Sequence, residues 1–350
     1  MVTNSIIHFN KGNYEPLNSY LAATNFSKIF IIVDENTNEF CLPKLLPSIA
    51  TELEIEIIEL EAGEENKTIE TCVGVWEALI ELGADRKSII LNLGGGVVTD
   101  MGGFIASTFK RGIPFINIPT TLLSMVDASV GGKNGIDLGG LKNQIGTITN
   151  PEMILIDTEY LETVSQRELK SGLAEMLKHG LIADKKHWNQ LKDFAQFNFS
   201  TFEMIIKESV AIKNTIVTQD PTENGIRKAL NFGHTLGHAI ETYFLENPTK
   251  KKLLHGEAIA CGMILESFIS VEKGLLSPTE YNEIKSALNT IFEKISFTEN
   301  DINSILKLLI HDKKNEYGQV QFALLNGIGN SEINQITDNE TIIKAFKDYN

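Results

Sequence analysis

The sequence predicts an α/β N-terminal nucleotide-binding domain with a parallel sheet, followed by a mainly α-helical metal-binding domain, with residues 1–165 in the first and 166–350 in the second. Three observations predict this arrangement. The first half alternates short β-rich runs with helical periods, the pattern of strands joined by covering helices. From about Arg167 the texture changes to long helical periods. The length, 350 residues, exceeds one ordinary domain and fits two of middling size.

Taken in order, Ser5 to Phe9, Lys28 to Val33 and Leu53 to Leu60 read as strands, and Ile69 to Leu82 as a helix closed by Gly83. Ser88 to Leu93 is a continuous apolar strand that runs into the triplet Gly94, Gly95, Gly96. Val97 to Phe109 follows as a helix and Pro114 to Ile118 as a further strand. Helical periods then cover Glu168 to Leu181, Lys186 to Phe197, Thr201 to Thr218, Lys228 to Phe244, Gly256 to Lys273 and Pro278 to Ile291. Val320 to Leu325 reads as a late β segment returning to the histidine-rich region. No internal repeat or low-complexity tract interrupts the chain.

Composition narrows the function classes. With 42% hydrophobic and 22% charged residues the chain is an ordinary globular protein. Its 46 acidic and 31 basic residues give a formal charge of -15, which argues against nucleic acid or an anionic membrane as partner. Cys41, Cys72 and Cys261 are scattered and odd in number, so neither a disulfide framework nor a cysteine metal site is indicated. That points to a reducing compartment. No basic region followed by a long apolar run opens the sequence and no apolar stretch reaches membrane-spanning length, so the expectation is a cytoplasmic protein.

Three places carry chemistry. A strand, three glycines and a helix is the order expected where a pyrophosphate rests on a helix N-terminus, although it also suits a tight structural turn and departs from the usual G-x-G-x-x-G. Asp34, the Gly63 to Lys67 segment, and Thr120 with Thr121 follow strands at the same sheet edge, where α/β proteins bind ligands. Between residues 107 and 147, Lys110, Arg111, Asp127, Lys133, Lys142 and Asn143 stand among many glycines, as in a solvated loop or an anion site. Finally, three of the seven histidines, His234, His238 and His255, cluster late in the chain. His234 and His238 share one helix face, so both can grip one metal, or one can hold it while the other works on substrate.

Along nearly the whole chain, eight blocks resemble the motifs of 3-dehydroquinate synthase, one of the sugar-phosphate cyclases. They are Gly63-Glu-Glu-Asn-Lys67, Gly94-Gly-Gly-Val-Val-Thr-Asp100, Pro119-Thr-Thr-Leu-Leu-Ser-Met-Val-Asp127, Ser129-Val-Gly-Gly-Lys133, Gly172-Leu-Ala-Glu-Met-Leu-Lys178, Asn231-Phe-Gly-His-Thr-Leu-Gly-His238, His255-Gly-Glu257 and Asp312-Lys-Lys314. The resemblance implies an NAD-binding domain, a helical metal domain, a homodimer, and conversion of 3-deoxy-D-arabino-heptulosonate 7-phosphate to 3-dehydroquinate and phosphate. The implied course is transient oxidation by NAD, loss of phosphate, re-reduction and intramolecular aldol closure.

Carried over by motif, the resemblance implies zinc, with cobalt as an alternative, held by Glu175, His234 and His255, while His238 acts on substrate. It implies NAD contacts at Asp34, Glu64, Lys67, Gly95, Gly96, Val97, Val98, Thr99, Asp100, Thr120, Thr121, Lys142, Tyr160, Leu161, Glu162 and Thr163. The substrate carboxylate would meet Lys213, Arg227 and Asn231. Its phosphate would meet Lys133, Asn143, Lys313 or Lys314, and Arg111 from a dimer mate, while Asp127, Lys178 and Glu223 would line the hydroxyl region. Departures are Thr99 where the family often has glycine, a longer segment between His238 and His255, and differences around Lys142. A metal-dependent polyol dehydrogenase, a sister cyclase and a non-catalytic regulator are the rival readings, and Lys133, Lys213 and Arg227 argue for a substrate with two anionic ends.

Overall fold

Runs of isoleucine, valine and leucine form the centre of a parallel sheet because both faces of its strands are covered. The structure is a computed structural model and describes residues 6–10, 12–139, 141–193, 199–309 and 320–350, divided into two units, Met1–Leu169 and Lys170–Asn350. In the first unit the elements are β1 (Ile6–Phe9), α1 (Glu15–Ala23), β2 (Ile29–Asp34), α2 (Glu35–Phe40), α3 (Leu42–Leu45), β3 (Ile55–Leu60), α4 (Ile69–Glu81), β4 (Ile89–Gly94), α5 (Gly96–Thr108), β5 (Phe115–Pro119), β6 (Lys133–Leu138), β7 (Leu141–Ile148) and β8 (Met153–Ile156). Six strands pair in parallel in the order β1-β8-β5-β4-β2-β3.

β4 is buried along its whole length. Against it pack Cys72, Val75 and Leu79 of α4 and Met101, Phe104 and Ile105 of α5, the apolar faces of two amphipathic helices. The chain winds outward from β2 to β3, returns to pair β4 on the other side of β2, and continues to β5. The winding therefore reverses between β2 and β4, and at such a reversal the carboxyl ends of the strands leave a crevice. Asp34 ends β2 and Gly94 ends β4, so the two lie at the same edge.

The stretch from 107 to 147 is more ordered than a solvated loop. It holds β5, a π turn over Ser124–Ala128, and an antiparallel hairpin of β6 and β7. The hairpin was hidden because its pairing rests on bare backbone: Gly135 faces Gly146, and a Cβ on Gly146 would stand 2.2 Å from the Asn134 carbonyl oxygen. Helices α1 to α3 and strand β8 were likewise not anticipated.

The second unit contains α6 (Gln166–Ala183, beginning just before the division), α7 (Lys185–Leu191), α8 (Phe199–Gln219), α9 (His234–Glu246), α10 (His255–Glu272), α11 (Pro278–Ile291), α12 (Glu299–Leu309), β9 (Gln321–Leu325), β10 (Ser331–Ile336) and α13 (Asn339–Tyr349). α10 is small and apolar on nearly every face and is buried accordingly, with α9, α11, α13 and β9 packed around it. β9 does return to the histidine region, where the Gln321 carbonyl accepts from the Thr235 hydroxyl at 3.4 Å.

Two helix expectations and one loop expectation are corrected. The continuous helix over Lys228 to Phe244 is broken: Ile226–Asn231 forms a 3-10 turn, Gly233 takes φ +76°, and α9 starts at His234. The helix expected over Lys186 to Phe197 ends at Leu191, and residues 194–198 lie outside the described residues. The long segment after His238 is half helix, since α9 runs to Glu246, and the loop that follows is pinned where Lys250 Nζ meets Asp301 Oδ2 at 2.7 Å. Among the described residues no helix is long and apolar enough to cross a membrane.

Candidate active site

Each unit gathers its own cluster of site candidates. In the second unit the decisive approach is that of α10 to α6. A Cβ on Gly256 would stand 2.1 Å from the Ser171 carbonyl oxygen, so only glycine lets α10 begin here, and the Gly256 N–H donates to Ser171 Oγ at 2.9 Å. Ser171 precedes Glu175 by one helical turn, and the approach places His255 Nε2 3.4 Å from Glu175 Oε1. His234, first residue of α9, brings its Nε2 to 3.5 Å from the same oxygen. The rings of His234, His238 and His255 lie 5.1 to 5.7 Å apart, and one nitrogen from each falls within 4.8 Å of the others.

The far nitrogens are held as well. His255 Nδ1 lies 3.2 Å from Glu241 Oε2, and His234 Nδ1 lies 3.1 Å from the Phe232 carbonyl oxygen. With Nδ1 of each ring set against an outer oxygen, each Nε2 faces Glu175, the arrangement that supports a metal-ligating imidazole from outside. Glu175 is fully buried and in ion-pair contact with Lys178, yet no donor is aligned on either of its oxygens among the described residues. Two imidazoles, a buried carboxylate with unsatisfied oxygens, and outer-shell partners fit a divalent cation. Electrostatics agree. Burial alone would lower the His255 pKa, but Glu241 and Glu175 outweigh it and push it up to about 9, so the pocket draws positive charge to itself.

Beyond this cluster the structure brings together Glu223, Arg227 and Asn231. Asn231 Nδ2 donates to Glu223 Oε1 at 2.7 Å, and Glu223 sits at φ +61°. Arg227 is buried, with its guanidinium donating to the Pro221 carbonyl at 2.8 Å and its N–H to Asp220 Oδ2 at 3.1 Å. Buried Lys213 belongs to α8, which packs against this 3-10 turn. Lys313 and Lys314 lie outside the described residues.

In the first unit α5 begins at Gly96 with Gly95 at its N-cap, directing its first N–H groups to the carboxyl edge of the sheet. Gly96, Val97, Val98, Thr99 and Asp100 form its opening turns. Buried Thr99 turns its hydroxyl back to the Gly95 and Gly96 carbonyls, both at 3.1 Å, so it stays within the helix where glycine was expected. Thr120 follows β5 and donates its N–H to the Gly94 carbonyl at 3.0 Å, while Thr121 stands beside Gly95.

Around them runs a charge network. Buried Lys67 contacts Asp100 Oδ2 at 2.7 Å and Asn143 Oδ1 at 2.8 Å, and Lys142 reaches Glu64 at 3.2 Å. Burial would lower the Lys67 pKa, but Asp100, Glu64 and Asp137 together hold it above the ordinary lysine value. Asp34 spends Oδ1 on capping α2 through the Thr37 N–H at 2.8 Å. Tyr160 and Leu161 are buried side chains, whereas Glu162 and Thr163 are exposed. Asp127 lies in the π turn, and Lys133 opens β6 with its side chain exposed. Arg111 is apart from these: it follows the far end of α5, in a surface hollow with Asp85, Arg86 and Lys110. Since α5 is 13 residues long, that end is about 20 Å from Gly96.

Sequence reasoning passed over Glu241. The available signal was its spacing, seven residues after His234 and so on the same face of one helix.

Two family models match the chain, 3-dehydroquinate synthase N-terminal over residues 57–171 and 3-dehydroquinate synthase C-terminal over 172–315. A 3-dehydroquinate synthase of Parabacteroides distasonis is 41% identical over 336 residues, covering 95% of this chain and 94% of its own. Among solved structures, the 2-epi-5-epi-valiolone synthase of Streptomyces hygroscopicus, with NAD+ and Zn2+ bound, superposes at TM-score 0.85 with 25% identity, over 100% of this chain and 97% of its own. A 2-deoxy-scyllo-inosose synthase complexed with carbaglucose-6-phosphate, NAD+ and Co2+ gives TM-score 0.83 at 25% identity, over 99% of both chains.

Proposed function

This chain belongs to the 3-dehydroquinate synthase family and makes 3-dehydroquinate and phosphate from 3-deoxy-D-arabino-heptulosonate 7-phosphate, and we propose that its first unit holds NAD while its second holds zinc and the reacting end of the substrate. The observation that carries this reading is the convergence of His234 and His255 on an unsatisfied, fully buried Glu175. These three residues are the proposed zinc ligands, with cobalt as a substitute in the same donor set. When bound, zinc supplies Lewis-acid polarisation of a secondary alcohol and NAD supplies a reversible hydride acceptor.

The chain's own residues do the rest. His238, in ring contact with both ligand histidines, is placed to take or return a proton at substrate hydroxyl oxygen. The Arg227 guanidinium offers a two-pronged fork to the substrate carboxylate, with Lys213 and Asn231 beside it. Glu223, Asp127 and Lys178 line the hydroxyls, and Lys133 and Asn143 meet the phosphate. The glycine turn from Gly95 to Asp100 receives the NAD pyrophosphate, with Asp34, Glu64, Lys67, Thr120, Thr121, Lys142 and the Tyr160 to Thr163 segment around it.

Arg111 stands at the opposite end of α5 from that turn, which supports its contribution to a second copy's site and hence a homodimer. The absence of an apolar spanning helix among the described residues and the scattered cysteines favour a cytoplasmic setting.

Purified protein supplied with the heptulosonate phosphate, zinc and NAD should release many equivalents of phosphate per bound NAD without lasting NADH absorbance. Stoichiometric NADH with no phosphate would mark a polyol dehydrogenase instead. Arg227→Lys should raise the substrate KM by about tenfold or more, because a point charge replaces a two-bond fork, while leaving NAD affinity unchanged. An unaltered KM and kcat would remove Arg227 from the carboxylate site.

A further inference from the structure

α9 opens at the metal centre without a cap of its own. Its N-cap is Gly233, which has no side chain to accept from the exposed amides. Serine, threonine or aspartate has no room there, since a Cβ would stand 2.5 Å from Met263 Cγ and 3.1 Å from its backbone nitrogen. The cap comes from the neighbouring helix instead. Glu266 of α10 is fully buried, and it accepts from the Gly233 N–H at 2.7 Å through Oε2 and from the Leu236 N–H at 3.0 Å through Oε1.

These two N–H groups flank His234. Close approaches of Gly233 to Met263 and of Gly237 to Ala258 and Ile259, with Glu241 meeting His255, show that α9 and α10 run antiparallel. Glu266 thus clamps α9 at one end of this seam and Glu241 ties it to His255 at the other. A helix free to slide or turn would carry His234 Nε2 away from its place 3.5 Å from Glu175. A carboxylate at this terminus also suits the positive end of the helix dipole.

We propose that Glu266 is a positioning residue for the metal centre, holding His234 in register with Glu175 and His255 through the two-pronged cap on α9. The proposal rests on the reading of His234 as a metal ligand. Glu266→Gln keeps the shape but turns one acceptor into a donor facing an N–H, and Glu266→Asp keeps the charge but shortens the reach.

Chelator competition on the full-length protein should show zinc affinity falling by about 10- to 100-fold in Glu266→Gln and less in Glu266→Asp, the range for outer-shell partners of metal ligands. The visible spectrum of the cobalt-loaded variants should shift, and NAD+ affinity should stay at the wild-type value. A merely structural cap would lower the melting temperature and leave zinc affinity and the cobalt spectrum as in the wild type, and that result overturns the proposal. On the wild-type chain, zinc should slow hydrogen exchange across Gly233 to Leu236; unchanged exchange there overturns it even if both variants fail to fold. If wild type and His234→Ala bind zinc equally weakly, the metal reading falls and takes this inference with it. Tight wild-type binding matched by folded Glu266→Gln removes this inference alone.

Discussion

The glycine turn of the first unit and the histidine cluster of the second are built by opposite means. At the turn, the groups offered to a ligand are backbone amides at the start of α5, and the nearby charges are already matched, Lys67 against Asp100 and Lys142 against Glu64. At the cluster, the groups offered are side chains, and acid is in excess: buried Glu175 and Glu241 face imidazoles with Lys178 beside Glu175, and His255 is drawn up to about 9 as a result. A balanced site keeps its shape unaided. An unbalanced one is completed by the cation it attracts.

The largest test of this contrast is at the proposed ligands. Replacing Glu175, His234 or His255 by alanine should bring zinc content to background in elemental analysis while NAD+ affinity holds, whereas His238→Ala should retain zinc and lose turnover. Equal zinc loss in His238→Ala would place that residue among the ligands. Next comes Lys67→Met, which strands Asp100 beside a neutral side chain. It should cost about 3 kcal/mol in urea unfolding, as when one partner of a buried pair is removed, with zinc affinity unaffected. No loss of stability would mean that the Lys67 network does not brace the first unit. Glu241→Gln should act in the reverse sense, weakening zinc about 10- to 100-fold with little change in unfolding.

The smallest effect concerns acid. Asp301 is itself disfavoured by burial, but Lys250, Tyr243 and the Thr298 N–H hold its pKa down at about 2. With the folded value below the ordinary one, its stabilisation is present above about pH 4 and is lost as pH falls from about 4 to about 2. Asp137 in the first unit is held above the ordinary range by burial, and so contributes with the opposite sign. Asp301→Asn should therefore flatten the acid limb of the unfolding midpoint measured from pH 5 to pH 2. A limb of unchanged slope would dismiss the Lys250 anchor.

What could be read in advance follows the same division. Strands such as Ile29–Asp34 and Ile89–Gly94 were legible because burial on both faces demands unbroken apolar runs. The break before His234 was not, since the apolar period continues through Leu230 and Phe232 and the interruption is imposed by the fit of Gly233 against Met263. The hairpin of β6 and β7 was masked by its Gly, Asn and Lys content. Spacing alone suggested His234 and His238 as partners, but it could not have found Glu175, which lies on another helix and was supplied by family resemblance. Glu241 was passed over although its spacing from His234 was available, whereas Glu266 acts only through the seam of α9 with α10, a relation absent from any local window of sequence.

The proposed ligand set is also scattered along the order of synthesis. Glu175 leaves the ribosome first, one turn ahead of Lys178, and α7 and α8 follow before His234 and then His255. At roughly 5–20 residues per second that interval is on the order of several seconds. With these proposed ligands, the set is incomplete on the nascent chain until α10 emerges and seats Gly256 on Ser171. Metal capture by this proposed set would thus come no earlier than midway through synthesis of the second unit, with α11, α12, β9, β10 and α13 still to be made.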